Sequence, residues 1–162
     1  MFKMSKVKTN AMRILDQKKI EYNVITYDVI DGKIDGTSVA QKIHRDSKEV
    51  YKTLVAEGQS KELYVFVLPV EEELDLKKAA QVTLEKNINM LHVKEIQKNT
   101  GYIRGGCSPI GMKKSYKTFI NESAEQLDKI IISAGKIGTQ IEIEPHLLSD
   151  VTKAEFKEII RS

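Results

Sequence analysis

The segment "ELYVFVLPV" (62–70) constrains the fold more than any other. Its five consecutive apolar residues, Tyr64 to Leu68, read as a strand buried on both faces. "EVYKTLVAEG" (49–58) precedes it as a strand running into a turn, with "GQSK" between the two. Apolar residues make up 41% of the 162, enough to build a core. That length predicts one compact domain over residues 1–162.

The other elements fall on either side of this pair. Ala11, Ile14, Leu15 and Lys18 lie on one stripe and predict a helix from about Lys8 to Lys19. "YNVITYDV" (22–29) is strand-like. "IDGKIDGT" (30–37) holds two Asp-Gly pairs and reads as a loop. Thr37 or Ser38 is the expected cap of a short helix through about His44. Asp75 is the expected cap of "LKKAAQ". "NINMLH" (87–92) reads as a strand, and the helical "VKEIQKN" after it stops near Gly101. "KTFIN" (117–121) and "KIIISAG" (129–135) read as strands flanking a helix at about Ala124–Asp128. "TQIEIE" alternates, with Ile141 and Ile143 facing one way and Gln140, Glu142 and Glu144 the other. Pro145 suits a helix start. "TKAE" (152–155) is a capping-box pattern that predicts a last helix from Lys153 to Ile160. The sum is a mixed α/β (α+β) domain: a curled mixed sheet or barrel of about six to seven strands, ringed by short helices.

Charge and composition exclude several classes. Net charge is +3, which permits an anionic partner but is low for a dedicated DNA binder. The chain has no tryptophan, so an extensive base-stacking platform is not expected. No apolar run is long enough to cross a membrane. Met1 to Asn10 is basic without an apolar stretch, so it does not read as a secretory signal. A single cysteine excludes an internal disulfide framework. The expected compartment is the cytosol, with no membrane and no DNA partner.

The candidates for chemistry are few. Cys107 sits in the glycine-rich stretch "GYIRGGCSPIG" (101–111), near Arg104, Lys113 and Lys114. No Cys-His signature surrounds it, so it reads first as a small residue fitting a tight loop. His44, His92 and His146 are scattered and have no metal-ligand spacing, and no metal is expected. The run Glu71–Glu73 reads as a solvated turn. Lys52 lies within "VYKTLV", sharing a face with Val50 and Leu54 by period two. A lysine there snorkels, pairs with an acid, guards a sheet edge or serves a site, and spacing alone leaves these open. Gly105, Gly106 and Gly111 permit positive φ and close backbone approach, and Pro109 restricts Ser108. Such a loop can turn several N–H groups toward an anion or oxyanion. It is neither a dinucleotide fingerprint nor a Walker loop. "GKIG" (135–138) is a second glycine-flanked turn.

Taken together, "VYKTLV", "LPVEEELDLKKAA", "TGYIRGGCSPIGMKK" and "SAGKIG" resemble, in order and spacing, the YbaK/EbsC-type aminoacyl-tRNA deacylases. This is the bacterial Cys-tRNA(Pro) deacylase group, related to the editing domain of prolyl-tRNA synthetases. The resemblance covers roughly residues 6 to 160. It implies a barrel-like mixed sheet and hydrolysis of the ester between a mischarged amino acid and tRNA. It implies no protein nucleophile and no cofactor: the substrate cysteine thiol attacks its own ester carbonyl, giving a thiolactone. Lys52 matches the family's essential lysine, and Tyr27 a pocket tyrosine. Gly105 to Pro109 matches the substrate-contacting loop, which includes Gly106 and Ser108. Gly135 and Gly138 match the second glycine turn. Gln140 departs from the pattern, since members often carry aspartate there.

The implied partners are the acceptor end of an aminoacyl-tRNA and prolyl-tRNA synthetase. Two other readings accompany the first. One is a deacylase for Ala- or Ser-tRNA, which needs water or a ribose hydroxyl in place of the thiol. The other is a non-catalytic module that binds the tRNA acceptor end or the synthetase.

Overall fold

The computed structural model describes residues 8–162. Residues 1–7, which carry most of the N-terminal signal reading, lie outside the described residues.

Helix α1 (Asn10–Gln17) starts where the Thr9 hydroxyl accepts from the Met12 amide, and it buries Ala11, Met12 and Leu15. Strand β1 (Asn23–Thr26) and helix α2 (Gly36–Lys42) follow. The hairpin β2 (Tyr51–Gly58) and β3 (Leu63–Pro69) comes next, in a register that sets Lys52 opposite Leu68. Helix α3 (Leu76–Thr83) is capped by the Asp75 carboxylate, which accepts from the Lys77 and Lys78 amides. Strand β4 (Ile88–Met90) and helix α4 (Val93–Thr100) lead to Gly101, which ends α4 at φ +87°. The chain closes with β5 (Lys117–Asn121), a 3-10 turn (Glu122–Gln126), β6 (Ile130–Lys136), β7 (Thr139–Ile143), α5 (Pro145–Thr152) and β8 (Glu155–Lys157).

The strands form two open sheets rather than a closed barrel. One runs β4-β2-β3-β5-β8 and the other β1-β7-β6. In the larger sheet β3–β5 and β5–β8 are parallel and the remaining pairs antiparallel. The sheets meet at one parallel bridge, Val50 to Ile131. No ladder continues beyond that bridge.

Strand β3 is buried on both faces, as its apolar run predicts. Val65 and Val67 point into a core shared with Leu15, Ile120, Ile132, Ile141 and Leu148. Tyr64, Phe66 and Leu68 point the other way, under Ala79 and Ala80 of α3. Phe66 pairs with Phe119 across the parallel β3–β5 ladder, their rings stacked at 5.7 Å. Each such side chain contributes roughly 1.5–3 kcal/mol of burial.

Three expectations are corrected. There are eight strands among the described residues, not six or seven. The α2 cap is Asp35, whose carboxylate accepts from the Ser38 amide, not Thr37 or Ser38 themselves. The expected last helix is absent. Lys153 turns left-handed at φ +58° and ends α5, and Thr152 donates its hydroxyl back to the Leu148 carbonyl instead of capping a new helix. Residues 155–157 then extend along β5, pairing Ile120 with Phe156. An open parallel edge outweighs a local capping pattern.

Candidate active site

A cleft of about 700 Å³ opens beside the Val50–Ile131 bridge. Its walls are the first half of β2, the loop before α2, the 104–107 loop, and Ser133 and Gln140 from the smaller sheet. Strand β4 reaches only Ala56–Gly58 of β2, so among the described residues the flank of β2 near Lys52 has no strand partner on that side. Lys52 therefore sits on a locally open flank of a strand that is inside the sheet only farther along, at Ala56–Gly58.

Lys52 lines this cleft. Its ammonium donates to the Val70 carbonyl at 3.5 Å, a loose contact. Burial pushes its pKa below the ordinary lysine value, and the carboxylates of Glu73 and Glu72 oppose that shift. The acidic run is the largely exposed turn its sequence predicts, and two of its members act on Lys52 from there. Thr53 lines the same cleft, and its buried hydroxyl has no hydrogen-bond partner among the described residues.

The glycine loop faces Lys52 only in part. Gly105 lines the cleft at φ +87°, where a Cβ would lie 3.0 Å from Cδ1 of Ile34. Gly106 is buried behind it, and a Cβ there would come within 3.0 Å of the Ile137 amide nitrogen. Ser108 is fully buried and spends its hydroxyl accepting from the Ile110 amide at 3.2 Å. Pro109 lines a separate small cavity with Ile14 and Tyr116. Ser108 and Pro109 therefore shape the loop from behind and do not face the cleft.

The second glycine turn also acts at a remove. Gly135, at φ +100°, leaves room for Tyr102, whose hydroxyl donates to the Ile110 carbonyl at 2.6 Å. The carbonyl of Gly138 accepts from the Tyr27 amide at 2.9 Å. Tyr27 itself is not among the cleft-lining residues, and its buried hydroxyl has no partner among the described residues.

Cys107 borders the cleft at 8% exposure, beside Val55 and Tyr102. Burial pushes its thiol up to about 11, so it stays protonated at neutral pH and is a poor nucleophile. Gln140 is only 6% exposed. It sits opposite Ser133 in the β6–β7 ladder, and both line the cleft. Sequence reading passed over Thr53, Ser133 and Asp35. The hydroxyl next to Lys52 was the one available signal, and the other two depend on how the sheets meet. No helix among the described residues is long and apolar enough to cross a membrane.

Comparison with known proteins places this geometry. A crystal structure described as a trans-editing enzyme for prolyl tRNA synthetase superposes with a TM-score of 0.82 at 18% identity, covering 96% of this chain and 99% of that one. The crystal structure of hypothetical protein APE2540 superposes with a TM-score of 0.87 at 15% identity, covering 94% and 100%. Both likenesses are of fold. EbsC of Enterococcus faecalis, named as a Cys-tRNA(Pro)/Cys-tRNA(Cys) deacylase, is 43% identical over 157 residues, 97% of this chain and 96% of its own. The model of the aminoacyl-tRNA editing domain matches residues 35–151, a span that includes Lys52, the glycine loop and Gln140. The chain belongs to the aminoacyl-tRNA editing domain family.

Proposed function

We propose that this protein is a trans-editing hydrolase that removes mischarged cysteine from tRNA(Pro), with residues 1–162 acting as one editing domain. The observation that carries the reading is a cleft that joins a half-buried lysine to a glycine loop while its only thiol is held protonated. Such a site is equipped to position an ester rather than to attack it.

The chemistry then belongs to the substrate. The cysteinyl sulfur attacks its own ester carbonyl, a C–S bond forms, and the C–O bond to the terminal ribose breaks. The thiol proton ends on the ribose oxygen, leaving tRNA with a free hydroxyl and cysteine as its thiolactone. Holding sulfur and carbonyl in line can supply ~7–11 kcal/mol of the barrier. Lys52 is the group placed to donate to the carbonyl or ribose oxygen. The Gly105 backbone and Thr53 border the same space. Gly106, Ser108 and Pro109 fix the loop, while Gly135, Gly138 and Tyr27 support the walls. The reaction requires no metal or cofactor. A prolyl-tRNA synthetase partner would supply tRNA selectivity that a net charge of +3 does not provide, and the cytoplasm is where the two would meet.

The test presents Cys-tRNA(Pro), Ala-tRNA(Pro) and Pro-tRNA(Pro) to the protein, with and without prolyl-tRNA synthetase. Selective loss of the cysteinyl ester with thiolactone as product is the expected result. Free alanine as the main product would move the assignment to a hydrolytic deacylase. Binding without turnover would leave an acceptor-end or synthetase-docking module.

A further inference from the structure

The loop between β1 and α2 is held by a side chain outside the cleft. Lys42, in the last turn of α2, turns back across it. Its ammonium donates to the Asp28 carbonyl at 2.6 Å, to Oδ1 of Asp31 at 2.7 Å and to the Lys33 carbonyl at 2.8 Å. Three donors are all an ammonium has, and all three are used within one loop. The same nitrogen lies 6.0 Å from the centre of the Tyr27 ring.

That loop has little else to fix it. Val29 and Ile30 are exposed, Ile30 at 92%, and Gly32 turns it at φ +73°. The carboxylates of Asp28 and Asp31 accept from the Ile30 and Lys33 amides, which bend the chain locally without attaching it to the domain. The far end of the loop is cleft wall. Ile34, Asp35 and Gly36 all line the cleft, and Ile34 closes over Gly105. Gly36 has no room for a Cβ because Val70 fills that space, and the Val70 carbonyl is the one that receives Lys52.

The geometry points to Lys42 as a positioning residue: its three-way ammonium clamp sets the 28–35 loop as one wall of the aminoacyl cleft. Substrate affinity then depends on a side chain that does not touch substrate. The kinetic part of this inference rests on the deacylase reading above, whereas the clamp does not. Arginine cannot take the place of this lysine. Three oxygens converge on a single nitrogen, and a planar guanidinium spreads its donors over three.

The experiment compares the full-length parent with Lys42→Met, Lys42→Arg and Asp31→Asn. Hydrogen exchange of peptides spanning 28–38 is expected to quicken about tenfold in both Lys42 variants, with β2 and β3 unchanged. KM for Cys-tRNA(Pro) is expected to rise about tenfold in both, with kcat within about threefold of the parent. Arginine giving parental KM would show that charge alone suffices and overturn the clamp. Loss of kcat in step with folded fraction, at constant KM, would also overturn it. Should the Lys42 variants fail to fold, Asp31→Asn decides, because it removes the charge from the one ionised acceptor of the three, at an exposed side chain. It is expected to raise KM about threefold, and unchanged KM with unchanged exchange would overturn the inference. A parent inactive on every ester sinks the deacylase reading alone, and the exchange measurement still decides the clamp.

Discussion

Lys52 and Val70 are joined by a hydrogen bond of 3.5 Å from ammonium to carbonyl, while the Val70 amide donates to the Val50 carbonyl at 2.9 Å. The lysine is thus desolvated against a carbonyl that gives it one long contact in return. Its own stability term is unfavourable, which is how functional groups in clefts commonly stand. Lys52→Met keeps the stem and removes the charge. It should raise Tm by about 2 °C while lowering kcat/KM on Cys-tRNA(Pro) at least about a hundredfold. Thermal melts and single-turnover rates check the two halves separately.

The same lysine predicts a pH profile. Its ammonium is the form able to donate to an ester oxygen, so activity should fall as pH rises through its depressed pKa. Glu73 and then Glu72 favour the charged form. Glu73→Gln should therefore move the alkaline limb to lower pH, and Glu72→Gln should move it less. A limb that stays in place in both variants would assign it to another group.

Within the loop, the weight lies on Gly106 rather than Cys107. A Cβ at Gly106 would press on the Ile137 amide nitrogen at 3.0 Å and on the Lys136 carbonyl carbon at 3.3 Å. Both atoms belong to the one peptide bond between Lys136 and Ile137, which must give way, so Gly106→Ala should cost about 1–3 kcal/mol, and Gly106→Val more, with activity falling in both. Cys107→Ala removes one sulfur from a small cluster and should cost about 1 kcal/mol, with deacylation within about threefold of the parent. Urea denaturation with parallel ester assays separates them, and the reverse pattern would restore the thiol to the chemistry.

Much of this fold was legible because local and tertiary preferences agree. The run Tyr64–Leu68 could only be a doubly buried strand, and Asp75, Gly101 and Pro145 mark helix ends by their own stereochemistry. The β8 segment was not legible, because the pattern Thr152–Glu155 is a sound local cap overruled by pairing with β5, 36 residues upstream at the Phe119–Glu155 register. In the site, Lys52 stood out as a charge among apolar neighbours. Ser133 carried no mark and Gln140 stood out only as a departure from the family pattern, since both enter the cleft through the way β6 leaves β2 after one bridge. Ser108 and Pro109 show the opposite error: a motif was read as one surface, while the loop turns half of it away from the cleft.

Asp35 offers a test of the wall at the start of α2. Its carboxylate accepts from the hydroxyls of Ser38 and Thr37 and from the Ser38 amide, which hold its pKa down to about 2. A depressed carboxylate stabilises the fold above its unfolded pKa of about 3.9, and that contribution is lost as pH falls toward 2. Asp35→Ala should lower Tm at neutral pH, and the gap from the parent should close between about pH 4 and pH 2. Because Asp35 also lines the cleft, KM should rise with the loss of the cap. Melts as a function of pH beside neutral-pH kinetics measure both, and a gap independent of pH would assign the effect to packing.

Thr53 gives a prediction whose two halves have opposite signs. Its hydroxyl is buried with no partner among the described residues, a state that costs about 1 kcal/mol or more in the free protein. Thr53→Val keeps the shape and deletes the orphaned group, so it should raise stability by about 1 kcal/mol. If substrate oxygens complete that hydroxyl, the same change should lower kcat/KM on Cys-tRNA(Pro) about tenfold, with the loss absent for binding outside the cleft. Thr53→Ser, which retains the donor, should restore most of the activity. A valine variant that is more stable and fully active would show that the hydroxyl is a cost the fold carries without use.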